Sequence, residues 1–483
     1  MMIATRLAAV LLVLVLVLLV LPASGSATTY HANPTNLDAQ MRKLALPGDS
    51  LILDPGQYLN TGILLYNVSG TAALPIVVTG PASGTPATIY APNPYTNTIQ
   101  LDNASYVTIQ HLVVNGTNGV GDTLSVDGVN AKGHPCHHIT VDDLKFYAFQ
   151  SFDRDQSIVG ISTKTECWNW TIKNCFIHDA GTGIYLGNSD GSCPFIAGLL
   201  DHNLVMNTLG YDIEIKYQIP YAYLPGMPTA PSTTIIRNNV FIKSDDYLQG
   251  LERPNLLVDQ FPSSGQGSSD HYEIYGNLIV HNPSEALIQA SGRVSIHDNI
   301  LVDPDPTYAA LYLTDHDGIL QKADVYNNTV YAGAQGIVFN TQPREGGALV
   351  GNLVFATTPI SAAPGVVIPG QRDNVGDSPA NAGLYVNAPS KILGQMDFYP
   401  RSTCATCSGS PLDLSAFAAQ LDFDRDFNGT SKGQALFRGA YQGSGANPGW
   451  PLGAGIKIGG PSGGPGSGGD TTPPSAVEDL HTR

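Results

Sequence analysis

One short pattern recurs seven times between Asn174 and Asn352: two alternating aliphatic positions, an asparagine, and a further aliphatic pair. Successive asparagines are 22 to 38 residues apart, at positions Asn174, Asn203, Asn239, Asn277, Asn299, Asn328 and Asn352. Repetition at this interval is typical of a solenoid, in which each unit buries its apolar face against its neighbours. The alternation inside each copy indicates strands and not helix pairs.

The repeated asparagine predicts a bend in every turn of this solenoid. Asparagine tolerates the left-handed backbone conformation, and its amide can hydrogen-bond to main-chain groups. Stacked turns would therefore align these amides as an internal asparagine ladder. Most copies are followed by a second strand pattern, such as GIYLGN and EALIQASG. Two or three strands per turn is the geometry of a β-helix, and 52 glycines with only 13% charged residues suit such an all-β chain.

The two ends of the chain differ in composition from the repeats. Residues 1–27 read as a secretory signal peptide, with a short basic start, a Leu/Val run and small residues for cleavage. A membrane anchor is the alternative, but the apolar run is shorter than the roughly 20 residues that a span needs. Residues 28–450 form the predicted solenoid domain. A Gly/Pro/Ser-rich linker follows over 451–470, and 471–483 resembles the opening of a fibronectin type III module.

The formal net charge of −17 limits the classes of partner. It argues against a nucleic-acid-binding protein and against electrostatic binding to anionic membranes. Together with the signal peptide, this predicts an extracellular monomer that binds no nucleic acid and has no membrane contact after signal cleavage. Six cysteines in an exported chain make disulfides plausible, and Cys404 and Cys407 are spaced for a tight loop disulfide or two free thiols.

Three segments near the N-terminus resemble a known group of proteins. They are PGDSLILDPGQY, SGTAALPIVV and IQLDNASYVTIQHLVV, and they are similar to the cap and first coils of secreted right-handed parallel β-helix proteins. That group includes polysaccharide lyases of the chondroitinase B and alginate lyase type. A later segment, SPLDLSAFAAQLDFDRDFNGTSKGQALFRGAYQG, resembles their closing segment. The resemblance spans roughly residues 30–445. It implies an all-β, pectate-lyase-like right-handed parallel β-helix, with an N-terminal capping segment at Leu37 to Leu46.

The strand pattern at 211–218 carries the most concentrated charge in the repeats. Alternate residues of a strand face opposite sides, so Ile213 and Ile215 are predicted to point into the core. Asp212, Glu214 and Lys216 would then share the outer face. A solvated ion-pair face is the plainer interpretation of this pattern, and a functional site is the alternative that we pursue.

Neighbouring turns should place further polar side chains beside this strand. The predicted substrate-binding strip consists of Tyr185, Asn188, Tyr217, Gln289, Tyr312 and Asn340. The two longest intervals between asparagines lie on either side of Asn239, and the second contains Arg253. Extra residues in a solenoid turn leave the coil as loops, which often form the wall of a groove.

The resemblance implies roles for the charged residues. In lyases of this type, calcium held by acidic residues neutralises the uronate carboxylate, a lysine is the base, and an arginine assists as the acid. This implies Asp212 and Glu214 as Ca²⁺ ligands, Lys216 as the catalytic base and Arg253 as its cationic partner. The sequence departs from those lyases in three respects. It lacks their Arg-His-Gly phrase, Arg253 lies farther along the chain behind a longer loop, and Lys216 follows Glu214 more closely.

These observations predict a secreted, carbohydrate-active protein, with a lyase acting on a uronic-acid-containing polysaccharide as the leading interpretation. A glycoside hydrolase on the same fold is one alternative, since inverting enzymes use clustered carboxylates and the chain contains the pair Asp245 and Asp246. A non-catalytic carbohydrate-binding or surface-attachment protein is the other.

Overall fold

The structure is a computed structural model, and it describes residues 26–93, 96–116, 121–126, 133–147, 158–247, 250, 252–305 and 308–462. Most of the predicted signal peptide, the end of the predicted linker and the segment 471–483 lie outside the described residues. Within the described part of the chain, no helix has the length and apolar character needed to cross a membrane.

Three parallel sheets run the length of the molecule, and each turn of the chain adds one strand to each sheet. This confirms the predicted right-handed parallel β-helix. Along sheet A the strands are Thr29–Ala32, Ser50–Leu53, Ile76–Thr79, Ser105–Gln110, Cys136–Asp142, Thr171–Lys173, Leu199–Asp201, Thr233–Arg237, His271–Tyr275, Gly292–His297, Leu320–Tyr326 and Gly347–Val350, with Cys167–Trp168 and Phe195–Ile196 beside them.

Sheets B and C complete each coil. The strands of sheet B are Gly56–Tyr58, Ala87–Tyr90, Val113–Asn115, Lys145–Tyr147, Phe176–His178, Leu204–Met206, Val240–Ile242, Leu278–Val280, Ile300–Asp303, Thr329–Ala332, Leu353–Phe355 and Val375–Asp377. The strands of sheet C are Ile63–Tyr66, Ile99–Asp102, Leu124–Val126, Val159–Thr163, Thr182–Leu186, Ile213–Ile215, Leu256–Val258, Ile288–Ala290, Ala309–Leu313, Gln335–Phe339 and Thr358–Ala362.

Aliphatic side chains stacked in register form the core between the three sheets. In sheet C, Ile184, Ile213 and Leu256 pair with one another on successive coils, and all three are fully buried. The burial of such rows is the main favourable contribution to folding. It requires every coil to keep one register, because a shift of one residue would turn the aliphatic side chains outward.

The predicted asparagine ladder is present, and the repeated asparagines from Asn203 onward form it. From Asn203 onward, each ladder amide donates through Nδ2 to Oδ1 of the next ladder asparagine, and that same Oδ1 accepts a backbone N–H of the preceding coil. The members are Asn203, Asn239, Asn277, Asn299, Asn328, Asn352 and Asn374.

The left-handed bend lies at the residue before each ladder asparagine, and not at the asparagine itself. These preceding residues have φ between 50° and 66°, and they are His202, Asn238, Gly276, Asp298, Asn327, Gly351 and Asp373. Asn174 has φ 54° and so occupies the bend position, while Cys175 takes the ladder position and donates its backbone N–H to Asn203. The expectation that Asn174 belongs to the ladder is therefore wrong.

The N-terminal segment packs on the first coils, as predicted. A short helix, Leu37–Met41, contacts the first strands of sheets A and C. Leu37, Met41 and Leu44 are buried and belong to the same apolar cluster as the interior of the solenoid. This segment covers apolar side chains of the first coil that no preceding coil covers.

After the last coil come a 3₁₀ helix, Pro379–Leu384, and an antiparallel pair of strands, Val386–Ala388 and Asp397–Pro400. The segment 411–462, which we call the C-terminal strap, contains a second 3₁₀ helix, Ser415–Phe417, near its start. Just before the strap, Cys404 and Cys407 form a disulfide, one of the two outcomes expected for this pair.

The C-terminal strap runs back along the corner that holds the ladder. Gly439 N–H donates to the Gly351 carbonyl, whereas Lys457 Nζ donates to the Gly276 carbonyl, several coils nearer the N-terminus. Leu452 and Lys457 are almost fully buried. The solenoid unit thus continues beyond residue 450, into the first part of the predicted linker.

Candidate active site

The outward side chains of sheet C form a row across the coils. Register pairs join Tyr185 to Glu214, Glu214 to Leu257, Leu257 to Gln289 and Gln289 to Tyr312. This confirms that Tyr185, Glu214, Gln289 and Tyr312 occupy equivalent positions of their coils. A polymer lying along this row would cross the strands, parallel to the axis of the solenoid.

A cavity of about 400 Å³ opens on one part of this row. Its lining combines three cationic side chains, two carboxylates and two tyrosine phenols. These are Lys164, Lys216 and Arg253, then Asp122 and Glu214, then Tyr185 and Tyr211. The cavity therefore brings together Lys216 and Arg253, the two residues predicted to be catalytic. It also contains Glu214, a predicted metal ligand, and Tyr185, a predicted substrate-binding residue.

Lys216 lies between two carboxylates. Its Nζ is 3.1 Å from Glu214 Oε1 and 2.9 Å from Asp317 Oδ2. Burial disfavours the charge of Lys216, but the two ion pairs outweigh burial and raise the pKa of its ammonium. Lys216 is consequently an ammonium ion at neutral pH in this arrangement. The role of base, implied by the resemblance, is not one that this ion can fill, because it has no lone pair to accept a proton.

The two phenols of the cavity keep their protons over a wide pH range. Burial raises the pKa of Tyr185 to about 12, and the nearby carboxylate of Glu214 adds to the shift. Burial also raises the pKa of Tyr211, whose ring lies 5.5 Å from the guanidinium carbon of Arg253. This cation–π contact directs Arg253 toward the cavity although the residue belongs to a long loop.

Lys164 and Lys216 occupy equivalent positions two coils apart. The preceding residues Thr163, Leu186 and Ile215 are register partners, so Lys164, Gly187 and Lys216 follow in line. Gly187 has φ +88°, and a Cβ at that position would lie 3.4 Å from the Cβ of Lys216. The glycine leaves the space between the two lysines open. Two strand spacings correspond to about 9.5 Å along the axis.

Asp212 does not belong to the outer face. It is fully buried before the strand Ile213–Ile215, where Thr208 Oγ1 and Asn255 Nδ2 donate to its two oxygens at 2.7 and 2.8 Å. Burial raises its pKa to about 6, although the charge of Lys243 opposes the shift. The expectation that Asp212 and Glu214 lie side by side on the surface is wrong, because the chain bends at residue 212 and the strict alternation begins one residue later.

The other predicted substrate-binding residues lie apart from the cavity lining. Asn188 Nδ2 donates to Ser192 Oγ within its own turn, and Asn340 Nδ2 donates to Thr314 Oγ1. Tyr217 contacts the site indirectly, since its ring centre is 5.8 Å from Lys216 Nζ. Gln289 and Tyr312 continue the row on later coils.

Sequence reasoning missed several members of the site. Lys164 could have been found by counting one residue past the strand Val159–Thr163, in the way that Lys216 follows Ile213–Ile215. Asp317 lies 101 residues after Lys216. No spacing rule predicts that contact, because it depends on how the loop after Ala309–Leu313 folds back over earlier coils.

Asp259, His316 and Asp317 place one possible ligand atom each within 4.8 Å of one another. This group fits calcium poorly, because Ca²⁺ prefers six to eight oxygen ligands and one of the three atoms is a ring nitrogen. The ammonium of Lys216 is already bound to Asp317, and the predicted pair Asp212 and Glu214 does not converge. We therefore assign no metal ligands here.

The comparisons with known proteins find only distant similarity. Neither a protein-family model nor a curated protein matches the sequence. Among solved structures, "PL6 family alginate lyase AlyGC" is similar at 13% identity over 72% of this chain and 51% of that chain, with a TM-score of 0.41. This chain thus spans about half the length of that lyase.

Two further solved structures are similar at the same distance. The PL6 family polysaccharide lyase Pedsa3628 from Pseudopedobacter saltans is 12% identical over 74% of this chain and 94% of that chain, with a TM-score of 0.44. The GH136 lacto-N-biosidase from Eubacterium ramulus is 11% identical over 72% and 68%, with a TM-score of 0.41. At this level of similarity, function has to be argued from the residues of this chain.

Proposed function

We propose that this protein is a secreted lyase that cleaves a uronic-acid-containing polysaccharide by β-elimination. The observation that carries the proposal is the convergence of three cationic side chains and two protonated phenols in one cavity, in a chain whose net charge is −17. Cationic side chains clustered in one cavity, here three beside two carboxylates, are suited to binding an anionic polymer against the global field.

β-Elimination requires three things of the site. The uronate carboxylate must be neutralised so that the C5 proton becomes removable, a base must take that proton, and an acid must protonate the leaving oxygen at C4. The C4–O bond breaks as the C4–C5 double bond forms, and no water is consumed.

The cavity supplies the first and third requirements. Lys216 and Arg253 present cationic groups to a carboxylate, in place of the metal ion that the resemblance implies. Tyr185 and Tyr211 carry phenolic protons near the same position, and either can protonate the leaving oxygen. These groups lie on a rigid sheet and on a loop held against Tyr211, so little reorganisation is needed when the substrate binds.

The resemblance also implies a calcium requirement, which can be tested directly. If the ion were required, the carboxylates of Glu214 and Asp317 would have to release Lys216 in order to bind it. We expect cleavage to continue in the presence of a chelator, because Lys216 is a covalently tethered cation at the same place. Loss of cleavage on chelation, restored by added Ca²⁺, would contradict this expectation.

The hydrolase alternative has less support from the described residues. Asp245, one of the carboxylates on which it rested, is almost fully exposed and pairs with His281 beyond the end of a sheet B strand, away from the cavity. Within the site, Glu214 and Asp317 are bridged by Lys216. Both carboxylates are engaged in ion pairs, so neither is free to activate the water that attacks in an inverting glycosidase.

The proposal is tested by incubating the protein with alginate, pectate and chondroitin sulfate while recording the ultraviolet absorbance of unsaturated uronate. We expect one of these polymers to be cleaved, and Lys216→Met to lower kcat by about 100-fold or more. Lys322→Met is a matched control, since Lys322 also pairs with a carboxylate two residues away, on sheet A. Absence of unsaturated product on all three polymers would contradict the proposal; binding alone would favour the non-catalytic alternative.

A further inference from the structure

A loop after the strand Ala309–Leu313 folds back over earlier coils to reach Lys216, which lines the cavity. Asp317 at its tip binds Lys216 Nζ, and the neighbouring His316 lies over Asp259. Hydrogen bonds hold the loop in place: Ile319 N–H donates to Gln260 Oε1, and Leu320 N–H donates to Asp315 Oδ1. A single carboxylate, that of Asp317, thus links His316 to the cation of the site.

His316 and Asp259 form a histidine–carboxylate pair. Nδ1 of His316 is 3.3 Å from each oxygen of Asp259, which is fully buried and also accepts a hydrogen bond from Ser291 Oγ at 3.1 Å. A carboxylate facing Nδ1 favours the tautomer with the proton on that nitrogen. Nε2 is then left with a lone pair, and about one third of the imidazole side chain is exposed.

We propose that His316 is the base that takes the C5 proton, and that Asp259 is the positioning residue that fixes its tautomer and orientation. The inference rests on the proposed function. The C5 proton goes to Nε2, the C5–H electron pair forms the C4–C5 double bond, and the leaving oxygen takes its proton from a phenol of the cavity. Asp259 stabilises the imidazolium that results, as the aspartate does in a serine protease triad.

A histidine base can do what Lys216 cannot. A protonated lysine can neutralise the substrate but cannot accept a proton, whereas an imidazole can do so near neutral pH. Asp259 and Asp317 favour the protonation of His316, and Lys216 opposes it. His316 also interacts electrostatically with the carboxylate of Glu285. The hydrogen bond from Asp259 makes the largest contribution and raises the pKa of His316 above its ordinary value.

The test compares pH profiles of kcat for wild type, His316→Gln and Asp259→Asn on the polymer that wild type cleaves. We expect wild-type kcat to rise with pH through a limb set by His316. His316→Gln should lower kcat at least about 100-fold and remove this limb with little change in KM. Asp259→Asn should lower kcat and move the limb to lower pH, since its charge raises the pKa of His316.

His281→Gln is the matched control, because His281 Nδ1 also pairs with a buried aspartate, Asp303 at 3.1 Å, but beside sheet B. It should leave kcat unchanged. If Asp259→Asn does not fold, the substitution at His316, whose side chain is about one third exposed, still gives a decisive variant. An active His316→Gln enzyme with an unaltered limb would overturn the inference, while a wild type without unsaturated product would instead overturn the proposed function.

Discussion

A single ladder asparagine satisfies several buried backbone groups at once. Asn277 Nδ2 donates to the Ile236 carbonyl and to Asn299 Oδ1, while its own Oδ1 accepts from N–H and Nδ2 of Asn239. Asn277→Ala would leave these groups unpaired in the core, and each unsatisfied buried group costs roughly 1–3 kcal/mol. We expect a loss of about 3 kcal/mol in the free energy of unfolding, measured by denaturant titration.

Asn174→Gly is the control for the ladder substitution. Asn174 has φ 54°, a conformation that glycine adopts without strain, and its side chain makes one bond to Asp142 outside the ladder. We expect a change much smaller than that of Asn277→Ala. Equal losses from the two substitutions would show that the ladder has no special part in stability.

The residue scale also shows what the sequence could and could not predict of the site. Alternation along the strand correctly placed Glu214 and Lys216 on the outer face, because both follow from the strand period. The burial of Asp212 depends on a bend one residue before the strand, and the contact of Asp317 with Lys216 depends on a loop three coils away. Periodicity does not report bends or loop directions, so the second ion pair of Lys216 could not be inferred.

At the scale of elements, the C-terminal strap is fastened by a lysine in an unusual environment. Lys457 is buried, and its Nζ donates to Asn238 Oδ1 and to the carbonyls of Gly276 and Phe427. Burial lowers its pKa to about 7, whereas an unfolded lysine titrates near 10.5. Between these values the unfolded chain binds more protons, so this lysine makes stability rise as pH increases from about 7 to 10.5.

We therefore predict that the stability of wild type relative to Lys457→Met increases with pH above 7, with a slope approaching about 1.4 kcal/mol per pH unit. Free energies of unfolding measured for both proteins at several pH values between 6 and 10 test this. Lys391→Met, at an exposed position, should show no such trend. A difference between wild type and Lys457→Met that is independent of pH would mean that Lys457 is charged in the folded protein.

The strap marks the limit of sequence reasoning for the fold. The strand period and the repeat predicted the coils, and the resemblance predicted a cap at Leu37 to Leu46, where the helix Leu37–Met41 lies. The Gly/Pro-rich composition after residue 450 indicated a linker, yet Leu452 and Lys457 pack on the solenoid. Composition describes the backbone freedom of such a segment, but not the shape of the surface that is available to hold it.

At the scale of the whole molecule, the regular spacing of the coils sets the distance between binding groups along a polymer. Lys164 and Lys216 are two coils apart, so an extended polyuronate lying along the axis can place different carboxylates on the two lysines. We predict that Lys164→Met raises KM for polymeric substrate about tenfold, while kcat changes little, in steady-state kinetics.

Lys173→Met is the matched control for this prediction. Lys173 pairs with Asp142 on sheet A at 3.0 Å, as Lys164 pairs with Asp122 at 3.1 Å, and the exposures of the two pairs are similar. The control should leave KM unchanged. A fall in kcat with unchanged KM for Lys164→Met would place Lys164 in the chemical step and contradict its assignment as a binding residue.

The central claim is that this cavity cleaves a uronate polymer without using water. The most direct measurement is mass spectrometry of the products formed in ¹⁸O-labelled water from the polymer that wild type degrades. β-Elimination predicts products that carry a C4–C5 double bond, with no ¹⁸O introduced by cleavage. Saturated products with one ¹⁸O per cleavage would identify a hydrolase and contradict the account.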